Sequence, residues 1–100
     1  DHNWVVRRSE PGLVPAARVK EPTTGRVMEV LTTKPGIQFY TGNYLDGVRG
    51  NGGVSYPRRS GFWLETQFFP NSTRHLHFPS PVLRAGERYA HSTIYQFSAE

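Results

Sequence analysis

Glycine and proline break this chain at short intervals, and the runs between them are rich in β-branched and aromatic residues. That pattern favours sheet over helix. Candidate strands fall near 3-8, 15-20, 26-33, 36-41, 61-67 and 88-98, and no segment combines a helix start, a helical apolar face and a stop. Between "AARVK" and "RVMEVLTT" lies "EPTTG", whose proline and glycine suit a tight connection, so a β-hairpin is expected there. The next break, "KPG" at 34-36, has the Pro-Gly pair favoured at the centre of a type II turn, which would make three consecutive antiparallel strands. The last run alternates, with Tyr89, His91, Thr93, Tyr95 and Phe97 on one face, and reads as a central or well-packed strand. Residues 42-61, rich in glycine, and 70-87, rich in proline, read as long loops. Loops longer than about 12 residues are usually functional or disordered. The expected class is all-β, with residues 1-100 as a single segment.

Within the fifth run, "GFWLETQFFP", one carboxylate, Glu65, stands among Phe62, Trp63, Leu64, Phe68 and Phe69. An unpartnered buried carboxylate is costly, so such an acid is either employed or not buried at all. On a strand, Phe62, Leu64 and Thr66 point one way and Trp63, Glu65 and Gln67 the other, which leaves Glu65 the option of an ordinary solvent-facing residue. Polar residues also stand beside aromatics at Asp1, His2 and Asn3 before Trp4, and at Gln38 before Phe39 and Tyr40. Carboxylates and amides grip hydroxyls while aromatic faces cover the C–H faces of a pyranose, so this mixture suits a sugar.

Other chemistries have less support. Without cysteine there is no thiolate nucleophile and no disulfide framework. His75 and His77 in "HLH" would share a face if extended, but no third ligand is spaced with them, and no metal site is expected. "NST" at 71-73 fits the glycosylation acceptor pattern, which matters only in a secreted eukaryotic protein. The net charge of +4 is mild, and only Arg7-Arg8 and Arg58-Arg59 are adjacent basic pairs. A nucleic-acid partner is therefore not expected. No apolar run approaches the roughly 18 residues of a membrane span, so no membrane partner is expected either. The opening residues show no signal-peptide pattern, and the lack of an initial Met reads as a trimmed or partial chain.

Four stretches in order, "DHNW", "GRVMEVLTTKPGIQFYTGNYLDG", "GGVSYPRRSGFWLETQFFPNS" and "FPSPVLRAGERYAHSTIYQFS", resemble the C-terminal part of the aldose 1-epimerase (galactose mutarotase) family over nearly all 100 residues. The resemblance implies a large antiparallel β-sandwich that interconverts α and β anomers of hexoses such as galactose and glucose without metal or organic cofactor. It implies that Glu65, in L-E-T-Q, is the general base that takes the anomeric hydroxyl proton, and that Asp1, opening D-H-N, and Gln38, in P-G-I-Q-F-Y-T-G-N, bind substrate hydroxyls. Glu65 and Gln38 should then lie together on one concave face.

The same resemblance implies that the two active-site histidines and a substrate-binding arginine fall before "DHNW". None of His2, His75, His77 or His91 matches them. The chain is thus expected to be a fragment with the base but not the acid, inactive alone, of an isomerase acting on a small-molecule aldohexose. A cytoplasmic location is expected, with a periplasmic or secreted one left open, and no assembly state follows. The alternative from another class is a non-catalytic carbohydrate-binding β-sandwich module.

Overall fold

The computed structural model describes residues 1–100. Eight strands form: β1 (His2–Val5), β2 (Val14–Lys20), β3 (Arg26–Thr32), β4 (Gly36–Tyr40), β5 (Val48–Arg49), β6 (Ser55–Tyr56), β7 (Trp63–Gln67) and β8 (Thr93–Ala99). Every pairing is antiparallel. Two three-stranded sheets, in the orders β1-β4-β7 and β2-β3-β8, pack face to face, and β5 with β6 makes a small separate ribbon. The all-β, sandwich-like class expected from the sequence is the class observed.

The β2–β3 hairpin is built by its turn. The Glu21 carboxylate accepts from the backbone N–H groups of Thr23 at 2.8 Å and Thr24 at 2.7 Å and from the Thr24 hydroxyl at 2.5 Å. Gly25 closes the turn at φ +74°, a left-handed conformation that glycine adopts without a Cβ penalty. These bonds, the Thr24 hydroxyl first, hold the Glu21 carboxyl down to about 2. Because the folded value is lowered, the turn's stabilisation by Glu21 is complete above the ordinary carboxylate range and is lost as pH falls through about 2. An NMR titration of the Glu21 carboxyl in the folded protein should therefore give a midpoint near 2 rather than near 4.5.

The connection from β3 to β4 differs from the expected turn. Gly36 is not among the residues with positive φ, as a type II turn would require, and it is the first residue of β4. β3 is already paired on both sides, by β2 and β8, so β4 cannot join it and instead crosses to the other sheet, between β1 and β7. Arg8 fastens this crossing, its guanidinium donating to the carbonyls of Gly12 at 2.9 Å, Thr32 at 3.3 Å and Lys34 at 2.8 Å. Gly36 serves close approach: a Cβ there would lie 2.7 Å from Asn3 Oδ1 and 3.0 Å from the Phe69 ring.

Further corrections concern where strands begin, end and lie. The run expected over 88-98 becomes a strand only at Thr93–Ala99, and β8 is an edge strand, largely exposed, rather than a central one. The long loop at 42-61 contains the β5–β6 ribbon, and the strand expected at 3-8 ends at Val5.

Between the sheets, Val6, Val14, Val30 and Ile37 form the buried cluster, with Ala16, Ala17, Met28 and Leu64 packed against it. A β-bulge between Pro15 and Ala17 lets both Val14 and Ala17 face inward although their numbers differ in parity. A threonine bridge ties the layers, with Thr93 Oγ1 2.8 Å from Thr66 Oγ1 on one sheet and 3.0 Å from Thr32 Oγ1 on its own. Thr32 is fully buried, and this bonding satisfies its hydroxyl. The Tyr95 hydroxyl adds a second tie, donating to the Leu64 carbonyl at 3.2 Å.

Candidate active site

Strand alternation gives β7 two chemically different faces. Leu64 and Thr66 turn toward the second sheet, while Trp63, Glu65 and Gln67 lie on the outer face. In the register of the sheet Asn3 lies opposite Gln38, and Gln38 opposite Glu65. Three polar side chains from three strands thus form one row, at the roughly 4.8 Å spacing of neighbouring strands. Asp1, which precedes β1, is on the same face, and Gln38 Nε2 donates to its Oδ2 at 2.9 Å. Glu65, Gln38 and Asp1, the three residues singled out in the sequence, are therefore brought together.

Glu65 is solvent-facing and not enclosed by the aromatic residues that surround it in sequence. Phe62 and Leu64 belong to the other parity, and Phe62 packs edge-on against Phe39 at 6.2 Å. Trp63 shares the face of Glu65, and its ring lies 5.0 Å from that of Tyr40, which in turn stacks with Tyr44 at 6.1 Å. The polar row is thus flanked by a short aromatic platform. The Tyr40 hydroxyl accepts from the Tyr44 N–H at 2.9 Å, fixing the start of the 42-61 loop against this platform.

Two more residues share this face: Gln67, which gained no role from the sequence, and Asn3, which the sequence grouped with the polar residues beside Trp4. Gln67 Nε2 donates to Gln38 Oε1 at 3.2 Å. Asn3 has its Nδ2 buried with no partner. Parity with Glu65 on one strand and with Asp1 on another was the available signal for both.

None of the four histidines joins the row. Even-numbered His2 has the opposite parity to Asn3 on β1. His75 and His77, with rings 5.8 Å apart, cluster with Phe78 in the loop after β7. His91 lies before β8, its Nδ1 3.0 Å from the Thr33 hydroxyl. Desolvation and the nearby Lys34 charge hold the His91 imidazole below its ordinary range. No group of three or more His, Cys, Asp or Glu residues could hold a metal ion, and no helix is long and apolar enough to cross a membrane.

The match to known proteins covers the same residues. The family model described as aldose 1-epimerase matches residues 1–96. Galactose mutarotase of Sus scrofa is 52% identical over 99 residues, covering 98% of this chain and 29% of the relative. Galactose mutarotase of Homo sapiens is 48% identical over the same shares. Aldose 1-epimerase of Escherichia coli is 38% identical over 102 residues, covering 100% of this chain and 30% of the relative. The chain thus spans less than a third of the length of the curated relatives it matches. With the family model running across the whole polar row and both sheets of the sandwich, the chain belongs to the aldose 1-epimerase family.

Proposed function

We propose that this chain is the C-terminal part of a mutarotase, in which Glu65 is the general base and Asp1 and Gln38 hold the sugar. The observation that carries this is the row of Asp1, Gln38 and Glu65 on one open sheet face beside the Tyr40–Trp63 platform. A pyranose laid there has its C–H face against aromatic rings and its hydroxyls toward acceptors and an amide. Glu65 takes the proton of the anomeric hydroxyl as the ring oxygen is protonated, the bond from C1 to the ring oxygen breaks, and the aldehyde forms. Rotation about C1–C2 and closure on the other carbonyl face give the other anomer, as the C5 hydroxyl gives its proton back to the acid and Glu65 returns its own to the new anomeric hydroxyl. All bonds and protons are restored, so the cycle calls for no redox partner.

The resemblance makes the acid that protonates the ring oxygen a histidine, and as no histidine of this chain shares the face of Glu65, that acid comes from the longer protein. A binding site without turnover, the non-catalytic module, would hold the sugar equally well without one. Polarimetry separates the two. The full-length protein should accelerate the change in optical rotation of freshly dissolved α-D-galactose, and Gln38→Ala should raise KM by about 3- to 10-fold with kcat changed much less, the worth of one or two neutral hydrogen bonds. Sugar binding with no acceleration would favour the module.

A further inference from the structure

The Gln38 carboxamide is held from both ends. Its Oε1 accepts from Gln67 Nε2 at 3.2 Å, and its Nε2 donates to Asp1 Oδ2 at 2.9 Å. An ionised carboxylate only accepts and an amide nitrogen only donates, so the chain from Gln67 through Gln38 to Asp1 has one direction. Turned over, Gln38 would set its oxygen against the Asp1 carboxylate, whichever way Gln67 lies. We infer that Gln67 is a positioning residue: the Asp1 carboxylate sets which way round Gln38 lies, and Gln67 holds the amide there from its other end as it meets the sugar. This rests on Gln38 and Asp1 being sugar ligands.

The sheet explains why Gln67 can reach. It lies directly opposite Gly36, which has no side chain to meet it, and Gln38 is its diagonal neighbour on β4. Diagonal pairs in an antiparallel sheet are about 7–8 Å apart, within range of a long side chain. Gln67 is half-buried, which limits the access of bulk water to its amide. With both ends engaged, Gln38 keeps one N–H and one oxygen lone pair for a ligand. Two neighbouring hydroxyls fit that pair, one accepting and one donating, and the direction of the chain decides which does which.

The test uses Gln67→Glu and Gln67→Leu in the full-length protein with D-galactose. The ionised carboxylate that Gln67→Glu introduces cannot donate and repels Gln38 Oε1, while turning the amide would set that oxygen against Asp1, so neither orientation of Gln38 satisfies both neighbours. At about pH 8 the KM should rise about 10-fold over wild type with kcat within about threefold. At about pH 4.5, where a carboxyl is substantially protonated, its O–H can donate and the ratio should fall back toward one. Gln67→Leu, uncharged, should raise KM about threefold at both pH values. The ionisable groups on this face are Glu65 from β7, Tyr40 from β4 and Asp1 before β1, and dividing by wild type at each pH removes their own titration. Equal, pH-independent ratios for the two variants, or loss of thermal stability with KM unchanged, would overturn the positioning role. If Gln38→Ala raises KM and the Gln67 variants do not, the positioning role fails alone. If Gln38→Ala itself leaves KM unchanged, the ligand assignment has failed first.

Discussion

Replacing Glu65 by glutamine in the full-length protein is expected to slow anomer interconversion by about 10²- to 10⁴-fold, the usual worth of one acid-base group. Sugar affinity should stay within about threefold, because glutamine keeps the shape and most of the hydrogen-bonding capacity of the side chain. The loss should therefore fall on kcat, the signature of a group that acts in the transition state rather than in ground-state binding. Glu65 lies directly opposite Gln38 and one strand further from Asp1, so a sugar held by those two brings a hydroxyl within its reach. The carboxylate is also solvent-facing, free of any salt bridge that would have to be broken before it could accept a proton. Polarimetry of fresh α-D-galactose, corrected for spontaneous mutarotation, reads the rate, and titration calorimetry reads the affinity. Full turnover in Glu65→Gln would make the carboxylate an ordinary outer-face residue. The 100 residues alone should give only the uncatalysed rate, since His75 and His77 are held in a loop aromatic cluster and His91 by Thr33.

The isolated 100 residues are also expected to associate, or to unfold without a sharp transition. Their accessible surface is 7801 Å². A folded monomer of 11.4 kDa should expose only about 5,800 Å². The radius of gyration, 16.4 Å, exceeds the roughly 13 Å of a compact 100-residue domain. A cleft of about 560 Å³ stands open between the sheets, walled by Trp4, Val6, Ile37, Phe39 and Leu64 on one side and Ala17 and Val19 on the other. β1 and β7 bound one sheet and β2 and β8 the other, so four strand edges lack a neighbour. Open edges and uncovered apolar faces are templates for association. Sedimentation should report species heavier than 11.4 kDa, and urea unfolding should be broad. A monomer that unfolds in one cooperative step at high concentration would contradict this.

Sequence by itself determined most of the strands and the faces of those that carry the site, because side-chain alternation and turn chemistry are local. The parity that separates Glu65 and Gln67 from Leu64 and Thr66 follows from the two-residue period of a strand. "EPTTG" carries its own turn, with a carboxylate to accept and a glycine to take positive φ. Which strands become neighbours is a different matter, decided by contacts between residues far apart in the chain. "KPG" reads locally as a turn within one sheet, yet it carries the chain across to the other because β3 already has β2 and β8 as partners. The alternation of the last run cannot distinguish an edge from a centre, since both present two faces. Nor does the sequence reveal that Gly36 is there for Asn3 and Phe69, or that Gln67 leans across it to Gln38. Those facts exist only once three strands remote in sequence lie side by side. The amide chain from Gln67 to Asp1 is accordingly a product of tertiary structure, laid over residue types that the sequence had already supplied.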